Sequence, residues 1–283
     1  MKELGQDGSM QSVRKRVELD ERRRSWLEEA DGEIVVWQSA YPDGFRVALH
    51  RHSRAQLLYA RSGVVLVQTA IGHWMVPAGH AIWIPAGVDH AVDMLSGVLM
   101  HSAYVLPGAI EGLPETLRVV AMTNLMRSLL AEAVPLPYEA RPTGRAGLLH
   151  GLILHEIPRL SEMPLGLPFP TDERMARLCR NFLEAPTSRV TINEWAQDLG
   201  MSRRTFTRRF QQETGVSLSL WRQQASLFAA LPRLTEGQPV TNVALDLGYE
   251  SVAAFTTMFK RMLGASPRAY LQAADISLPQ GPR

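Results

Sequence analysis

Residues 191–215 read TINEWAQDLGMSRRTFTRRFQQETG, and residues 240–264 read VTNVALDLGYESVAAFTTMFKRMLG. The second stretch repeats the plan of the first. AQDLG at 196–200 matches ALDLG at 244–248, an offset of 48, while Phe206 and Phe210 match Phe255 and Phe259, an offset of 49. The offset of 49 continues through Gly215/Gly264, Ser217/Ser266 and Trp221/Tyr270, so the second copy has one extra residue in its turn.

Each copy has the parts of a helix-turn-helix, which places the units at 191–212 and 240–263. Thr191 with Glu194 three residues later is a capping box. Ala196 is small enough for close helix packing, Gly200 can take the left-handed conformation that ends a helix, and Ser202 can cap the next one. Phe206 and Phe210, four apart, share the buried face. That leaves Arg203, Arg204, Thr207, Arg208 and Gln211 on the open face, a set suited to the major groove, where arginine reads guanine and its neighbours hold phosphates. In the second copy Gly248 ends the helix, Ser251 caps, and the open face is Val252, Ala253, Thr256, Thr257, Lys260 and Arg261. From it Ser251, Thr256, Thr257, Lys260 and Arg261 are the expected DNA contacts. One unit alone reads equally well as a helical hairpin with a solvated arginine face. Two matched units, joined by a helical stretch at 218–231, read as a bipartite reader of double-stranded DNA.

These residues resemble the AraC/XylS family of bacterial transcription regulators. The resemblance covers about 100 residues from Glu173 to Leu271, including RRTFTRRFQQETG and DLGYESVAAFTTMFKRMLGASPRAYL. Two departures stand out. The family's second turn commonly carries a proline where Val252 stands, and Pro232 falls within what is usually a continuous linker helix, where an interior proline costs ~3 kcal/mol.

Working outward, the basic excess is local. The 283-residue chain has Lys+Arg 30 against Asp+Glu 28, a net charge of +2 that argues against a uniformly basic coat. Residues 1–170 hold 16 basic and 18 acidic residues, and residues 171–275 hold 13 and 10. One cysteine, Cys179, excludes an intramolecular disulfide framework and a four-cysteine zinc site, and fits a reducing cytoplasm. No apolar run approaches the roughly 20 residues of a membrane span.

Between 33 and 106, short β-branched and aromatic runs alternate with Gly and Pro: 34–37, 45–52, 64–69, 73–76, 80–84 and 98–106. They predict an antiparallel barrel or sandwich. Residues 115–134 and 143–160 have apolar spacing of 3 to 4 and predict two amphipathic helices. SEMPLGLPFP at 161–170 reads as a stiff linker. The fold class is therefore α+β: an arm at 1–32, with a charged stretch at 13–30, a sensor barrel at 33–106, connector helices at 107–160, the linker, and an all-α DNA-binding domain at 171–274.

The run Gly44-FRVAL-His50-Arg-His52-SRA-Gln56-LLYARS-Gly63 resembles the first motif of the cupin family, with Gln56 where Glu is usual. Gly79-HAIWI-Pro85-Ala-Gly87-VD-His90-AVD-Met94 resembles the second, with Met94 in place of Asn. The resemblance implies a small barrel with a site at its mouth. His50 and His52, two apart on a strand, would share one face, and His90 would complete a three-imidazole set with the Gln56 amide oxygen as a weak fourth ligand. Such a set suits Zn, Ni, Fe or Cu. The same histidines can instead hydrogen-bond one another, waters or an organic effector without metal. His73 and His80 are expected at the surface and His101 in the core. His150 and His155, five apart, lack ligand spacing, and Cys179 is expected to pack as a small hydrophobe. Trp74, Trp83 and Tyr59 either line an effector pocket or belong to the core.

Together these features predict a transcription regulator, not an enzyme, with a double-stranded DNA operator and a small-molecule or metal effector as partners. Apolar stripes on the connector helices predict a homodimer, and RNA polymerase is a partner if the protein activates. The texture around HRHSRAQLLYARSGV and AIWIPAGVDHAV resembles the nitroimidazole-resistance subgroup of that family, which implies export or detoxification genes as targets. The competing reading is a metal-dependent cupin enzyme fused to a DNA-binding domain. Replacement of the usual Glu by Gln56 weighs against it.

Overall fold

The computed structural model describes residues 25–139, 141–184, 186–187 and 189–275. The charged stretch at 13–24 lies outside them. A short helix, α1, covers 25–29. Eleven strands follow among the described residues: β1 (Ile34–Tyr41), β2 (Arg46–His50), β3 (Ala55–Ser62), β4 (Val65–Thr69), β5 (Gly72–Val76), β6 (His80–Ile84), β7 (His90–Met94), β8 (Val98–Val105), β9 (Arg118–Ala121), β10 (Glu162–Met163) and β11 (Gly166–Pro168). They form two antiparallel sheets, ordered β1-β8-β3-β6-β9-β10 and β11-β5-β4-β7-β2.

The sheets face each other across a core that includes Leu58, Val67, Ile82, Ile84, Val92 and Met94. The other face of the six-stranded sheet, with Leu57, Tyr59, Ala81 and Trp83, is covered by α2 (Asn124–Ala133) and α3 (Gly144–Glu156) through Met126, Leu130 and Ile153. Strand β3 is therefore buried on both faces, and its sequence AQLLYARS shows no apolar–polar alternation. For that reason it escapes the period-2 reading, as does the short β7.

Two expectations need correction. Residues 115–134 are not one helix: 118–121 pair with β6 as β9, and Thr123 caps a helix that starts at Asn124. Val119 and Val120 are both buried between layers, so their β-branched side chains favour a strand. The proline-rich 161–170 is not a free linker. Its two short strands extend both sheets, β10 on β9 and β11 on β5.

The C-terminal part is helical: α4 (Glu173–Glu184), α5 (Ile192–Asp198), α6 (Arg203–Thr214), α7 (Leu218–Thr235), α8 (Val240–Asp246), α9 (Val252–Leu263) and α10 (Pro267–Asp275). Pro232 stands in the last turn of α7, where its carbonyl still accepts from Glu236 N at 3.0 Å, so the helix continues to Thr235. The barrel core runs without a break into this part. Leu165, Leu167 and Phe169 belong to the same buried cluster as Trp221 and Phe228. Polar contacts pin the seam: Trp221 Nε1 donates to Pro168 O (2.9 Å), Gln224 Nε2 to Pro164 O (2.7 Å) and Tyr270 OH to Ala78 O (3.1 Å).

Cys179 is buried, and burial pushes its thiol up, as expected of a packing cysteine. His101 is likewise in the core: one ring nitrogen faces Gln38 Oε1 at 3.1 Å, while Nδ1 has no hydrogen-bond partner among the described residues. His73, expected at the surface, is half-buried with its ring against Phe169, and His80 is also half-buried. Burial, and secondarily Arg61, pushes His101 down to about 4; burial and then Arg180 do the same to His73. Both folded values lie below the ordinary 6.5. Unfolded chains therefore take up protons that folded chains refuse, so stability present above pH 6.5 is lost as pH falls toward 4. For the buried His101 the loss is on the order of 3 kcal/mol. Calorimetric melting at stepped pH should show Tm dropping across this window, and His101→Asn should flatten the drop.

Candidate functional site

Helix α5 begins with the expected capping box: Thr191 Oγ1 accepts from Glu194 N (3.2 Å), and Glu194 Oε2 accepts from Thr191 N (2.5 Å). Gly200 turns the chain with φ +67°. Ser202 Oγ accepts from Thr205 N at 3.2 Å and starts α6. Phe206 and Phe210 are fully buried, Phe206 against Trp195 and Phe210 against Trp221. Their burial fixes the rotation of α6 and leaves Arg203, Arg204, Arg208 and Gln211 exposed, with Thr207 half-buried. Among the described residues none pairs with the guanidinium groups of Arg203, Arg204 and Arg208.

The neighbouring Arg209 has a different task. It pairs with Asp172 (2.8 Å) and Glu213 (2.8 Å), and Glu213 also accepts from Thr171 Oγ1 and Asp172 N, so the cluster ties α6 to the residues ahead of α4.

The second unit follows the same plan. Gly248 turns with φ +77°, Ser251 Oγ accepts from Ala254 N (3.2 Å), and Phe255 and Phe259 are fully buried. Ala253, Thr257, Lys260 and Arg261 are exposed, and Val252 and Thr256 are half-buried. Arg261 donates to Gln223 Oε1 of α7, which ties the second unit to the helix between the two. A tie between α7 and α4 was not legible in the sequence. Arg222 of α7 lies over the Phe182 ring at 5.3 Å and donates to Thr187 O at 3.1 Å. Its signal is weak because a lone arginine in an amphipathic helix reads as solvated.

In the barrel, His50, His52 and His90 come together as expected, with one ring nitrogen of each within 4.8 Å of the others. The route differs from simple strand alternation. Strand β2 ends at His50, His52 lies in the following loop, and His90 pairs across from His50 at the start of β7. His52 and His90 are buried and His50 is half-buried.

Each imidazole turns Nδ1 to a backbone carbonyl: His50 to Ala48 O (2.8 Å), His90 to Val88 O (2.8 Å) and His52 to Arg54 O. A carbonyl can only accept, so Nδ1 carries the proton in each ring and Nε2 is left as the electron-pair donor. Gln56 Nε2 donates to Ser102 Oγ and Tyr104 OH, both at 3.0 Å, and its Oε1 lies 3.2 Å from His52 Nε2. With Nδ1 alone protonated these are two electron-pair donors, which a bound cation or a second ring proton would reconcile. Turning the amide over would instead let Gln56 donate to His52 and join the cage without one.

Beside the histidines is a small cavity of about 40 Å³, with His50 and Gln56 in its wall. Trp37, Tyr41, Tyr104, Met94, Met100 and Ser102 contribute to its wall, and among the described residues no Asp, Glu, Lys or Arg does. The expected aromatic candidates are elsewhere: Trp74, Trp83 and Tyr59 are core residues. Arg54, next to His52, is fully buried and anchors the arm. Its guanidinium donates to Leu27 O (3.2 Å), Gly32 O (2.7 Å) and Ala30 O. The end of α1 and the residues after it are thus held against the barrel.

Residues 195–273 match a helix-turn-helix domain model, and residues 35–153 match the AraC-like ligand binding domain. The HTH-type transcriptional regulator NimR of Escherichia coli is 30% identical over 232 residues, which is 82% of this chain and 85% of that protein. The HTH-type transcriptional regulator RipA of Corynebacterium glutamicum is 24% identical over 77% of this chain and 62% of its own length. Among solved structures, ToxT from Vibrio cholerae aligns with 85% of this chain and 98% of its own, at 11% identity and a TM-score of 0.36.

Proposed function

Because the chain belongs to the AraC family of helix-turn-helix transcription regulators, we propose that it binds an operator with both reading helices under control of a ligand in the barrel. The observation that carries this reading is the pair of matched helices α6 and α9, each anchored by two buried phenylalanines and each leaving one face open. The family is one of regulators rather than enzymes, so the reading as a cupin enzyme with an appended DNA-binding domain is set aside. Among the described residues no helix is long and apolar enough to cross a membrane. The proposed place of action is the cytoplasm, where an operator would lie.

The ligand acts by differential binding: the form it prefers gains population, and only one arrangement of the readers fits the operator. The seam through Pro168, Trp221, Ala78 and Tyr270 is the physical connection between barrel and reader. We further infer a homodimer. Leu125, Leu148 and Leu152 of α2 and α3 are exposed at 48%, 72% and 48%, an apolar set that a second copy would cover. As an activator, the protein would also meet RNA polymerase. Export or detoxification genes are the proposed targets, on the resemblance of the two barrel motifs.

A transition metal (Zn, Ni, Fe or Cu) fits the three imidazoles, because one ring nitrogen of each lies within 4.8 Å of the others and hydrogen bonds from Nδ1 to backbone carbonyls would leave Nε2 to bind it. His50, His52 and His90 would hold it, with Gln56 Oε1 as a weaker fourth group, and the metal would supply a Lewis-acid anchor for an effector in the adjoining cavity. Protein purified without chelator should carry about one such metal per chain by mass spectrometry. His90→Ala should lose it while keeping its melting transition. Wild-type protein that takes up none of the four metals would contradict the metal and favour the turned-over amide.

The reading as a regulator is tested by sequencing genomic DNA fragments enriched on the purified protein. A recurrent bipartite motif is expected. Enrichment without any shared sequence would overturn it.

A further inference from the structure

The two reading helices occupy equivalent positions but present opposite chemistry. With the offset of 49 set by the buried phenylalanines, Arg203, Arg204, Thr207, Arg208 and Gln211 of α6 correspond to Val252, Ala253, Thr256, Thr257 and Lys260 of α9. All three arginines of the first face are replaced by side chains that end in methyl groups.

The exposed surface bears this out residue by residue. Ala253 and Thr257 are exposed where Arg204 and Arg208 are exposed. Thr257 Oγ1 donates to Ala253 O at 2.9 Å, so its hydroxyl hydrogen is engaged within the helix and its methyl remains for contact. Thr207 of α6 is similarly engaged on Arg203 O at 3.0 Å. The second helix has Lys260 and Arg261 only in its last turn, beyond the N-terminal positions that reach base edges, and Arg261 is held by Gln223.

In the major groove, guanine offers O6 and N7 to a guanidinium, whereas thymine is distinguished by its C5 methyl, which apolar side chains contact. We propose that the operator is chemically split: guanine lies under α6, and a thymine-rich segment is read through methyl contacts under α9. The inference rests on the DNA-binding reading above and specifies the partner for each helix.

The test uses the enriched operator as a synthetic duplex and the full chain, with affinity measured by fluorescence anisotropy at fixed salt. Replacing thymine by deoxyuracil removes only the methyl, and replacing guanine by 7-deazaguanine removes only N7. Arg204→Ala identifies the half under α6 as the one whose 7-deazaguanine penalty disappears. In the other half each deoxyuracil should weaken binding by about fourfold, the scale of one buried methyl, while the α6 half shows little effect. Ala253→Arg should abolish the deoxyuracil penalty at its contact and create a preference for guanine there. Equal deoxyuracil penalties in both halves, or none in either, would overturn the proposal while leaving sequence-specific binding intact. Absence of any specific operator would instead overturn the parent reading, and this inference with it.

Discussion

Replacing Arg203, Arg204 and Arg208 together by alanine is expected to weaken operator binding about a thousandfold. Each arginine is exposed on the face opposite Phe206 and Phe210, and among the described residues none has an acidic partner, so all three charges are available to DNA. A bidentate contact to guanine contributes about 1–3 kcal/mol of discrimination, and each lost phosphate contact lowers the salt-dependence slope by about 0.9. Gel-shift titrations at several salt concentrations separate the two contributions. Thr256→Ala, at a half-buried position of the second reader, should cost far less than Arg204→Ala or Arg208→Ala. Arg209→Ala is a contrasting case, since its charge is held by Asp172 and Glu213; it should loosen the start of α4 more than it weakens DNA binding. Equal affinities for the triple variant and the wild type would remove α6 from the interface.

The second large effect concerns stability. Arg54→Leu should lower Tm by about 10 °C, because Leu27 O, Ala30 O and Gly32 O lose their donor together, the first and last of them in buried residues. Leaving a buried acceptor unsatisfied costs roughly 1–3 kcal/mol, and in a chain of this size 1 kcal/mol is about 2–4 °C. Lysine should not rescue the variant, since an ammonium lacks the planar fork that reaches three separated carbonyls. Of the other contacts between arm and barrel, Glu28 accepting from Ser53 N at 3.0 Å is exposed and weaker, while Leu27 packs with Val35 and Tyr104 and Trp26 meets Trp37. Limited proteolysis should find new cleavage within 25–32 in the variant. An unchanged Tm and cleavage pattern would show that the arm is held by something other than Arg54.

The helical domain was legible in the sequence because its signals are local. Capping pairs such as Thr191 and Glu194, glycines at helix ends and phenylalanines four apart all act within a few residues. The barrel was legible as a pattern of short strands, and its three histidines by their place in two motifs. What escaped depends on layers meeting at a distance. Strand β3 is buried on both faces and so lacks alternation. Residues 161–170 read as a linker because nothing local reveals that they pair with β9 and β5. His52 reaches the cluster from a loop rather than a strand, and the cavity wall of Trp37, Tyr41 and Tyr104 combines β1 and β8. Arg54 appears in the sequence as one more charge, and only the fold brings three carbonyls around it.

The central claim is that both helices read one operator at once, and hydroxyl-radical footprinting of the enriched operator tests it most directly. Each protomer is expected to protect two segments on one face of the DNA, about one helical turn apart. Arg204→Ala should fade one segment before the other. A single protected segment, or even protection that ignores sequence, would contradict the account.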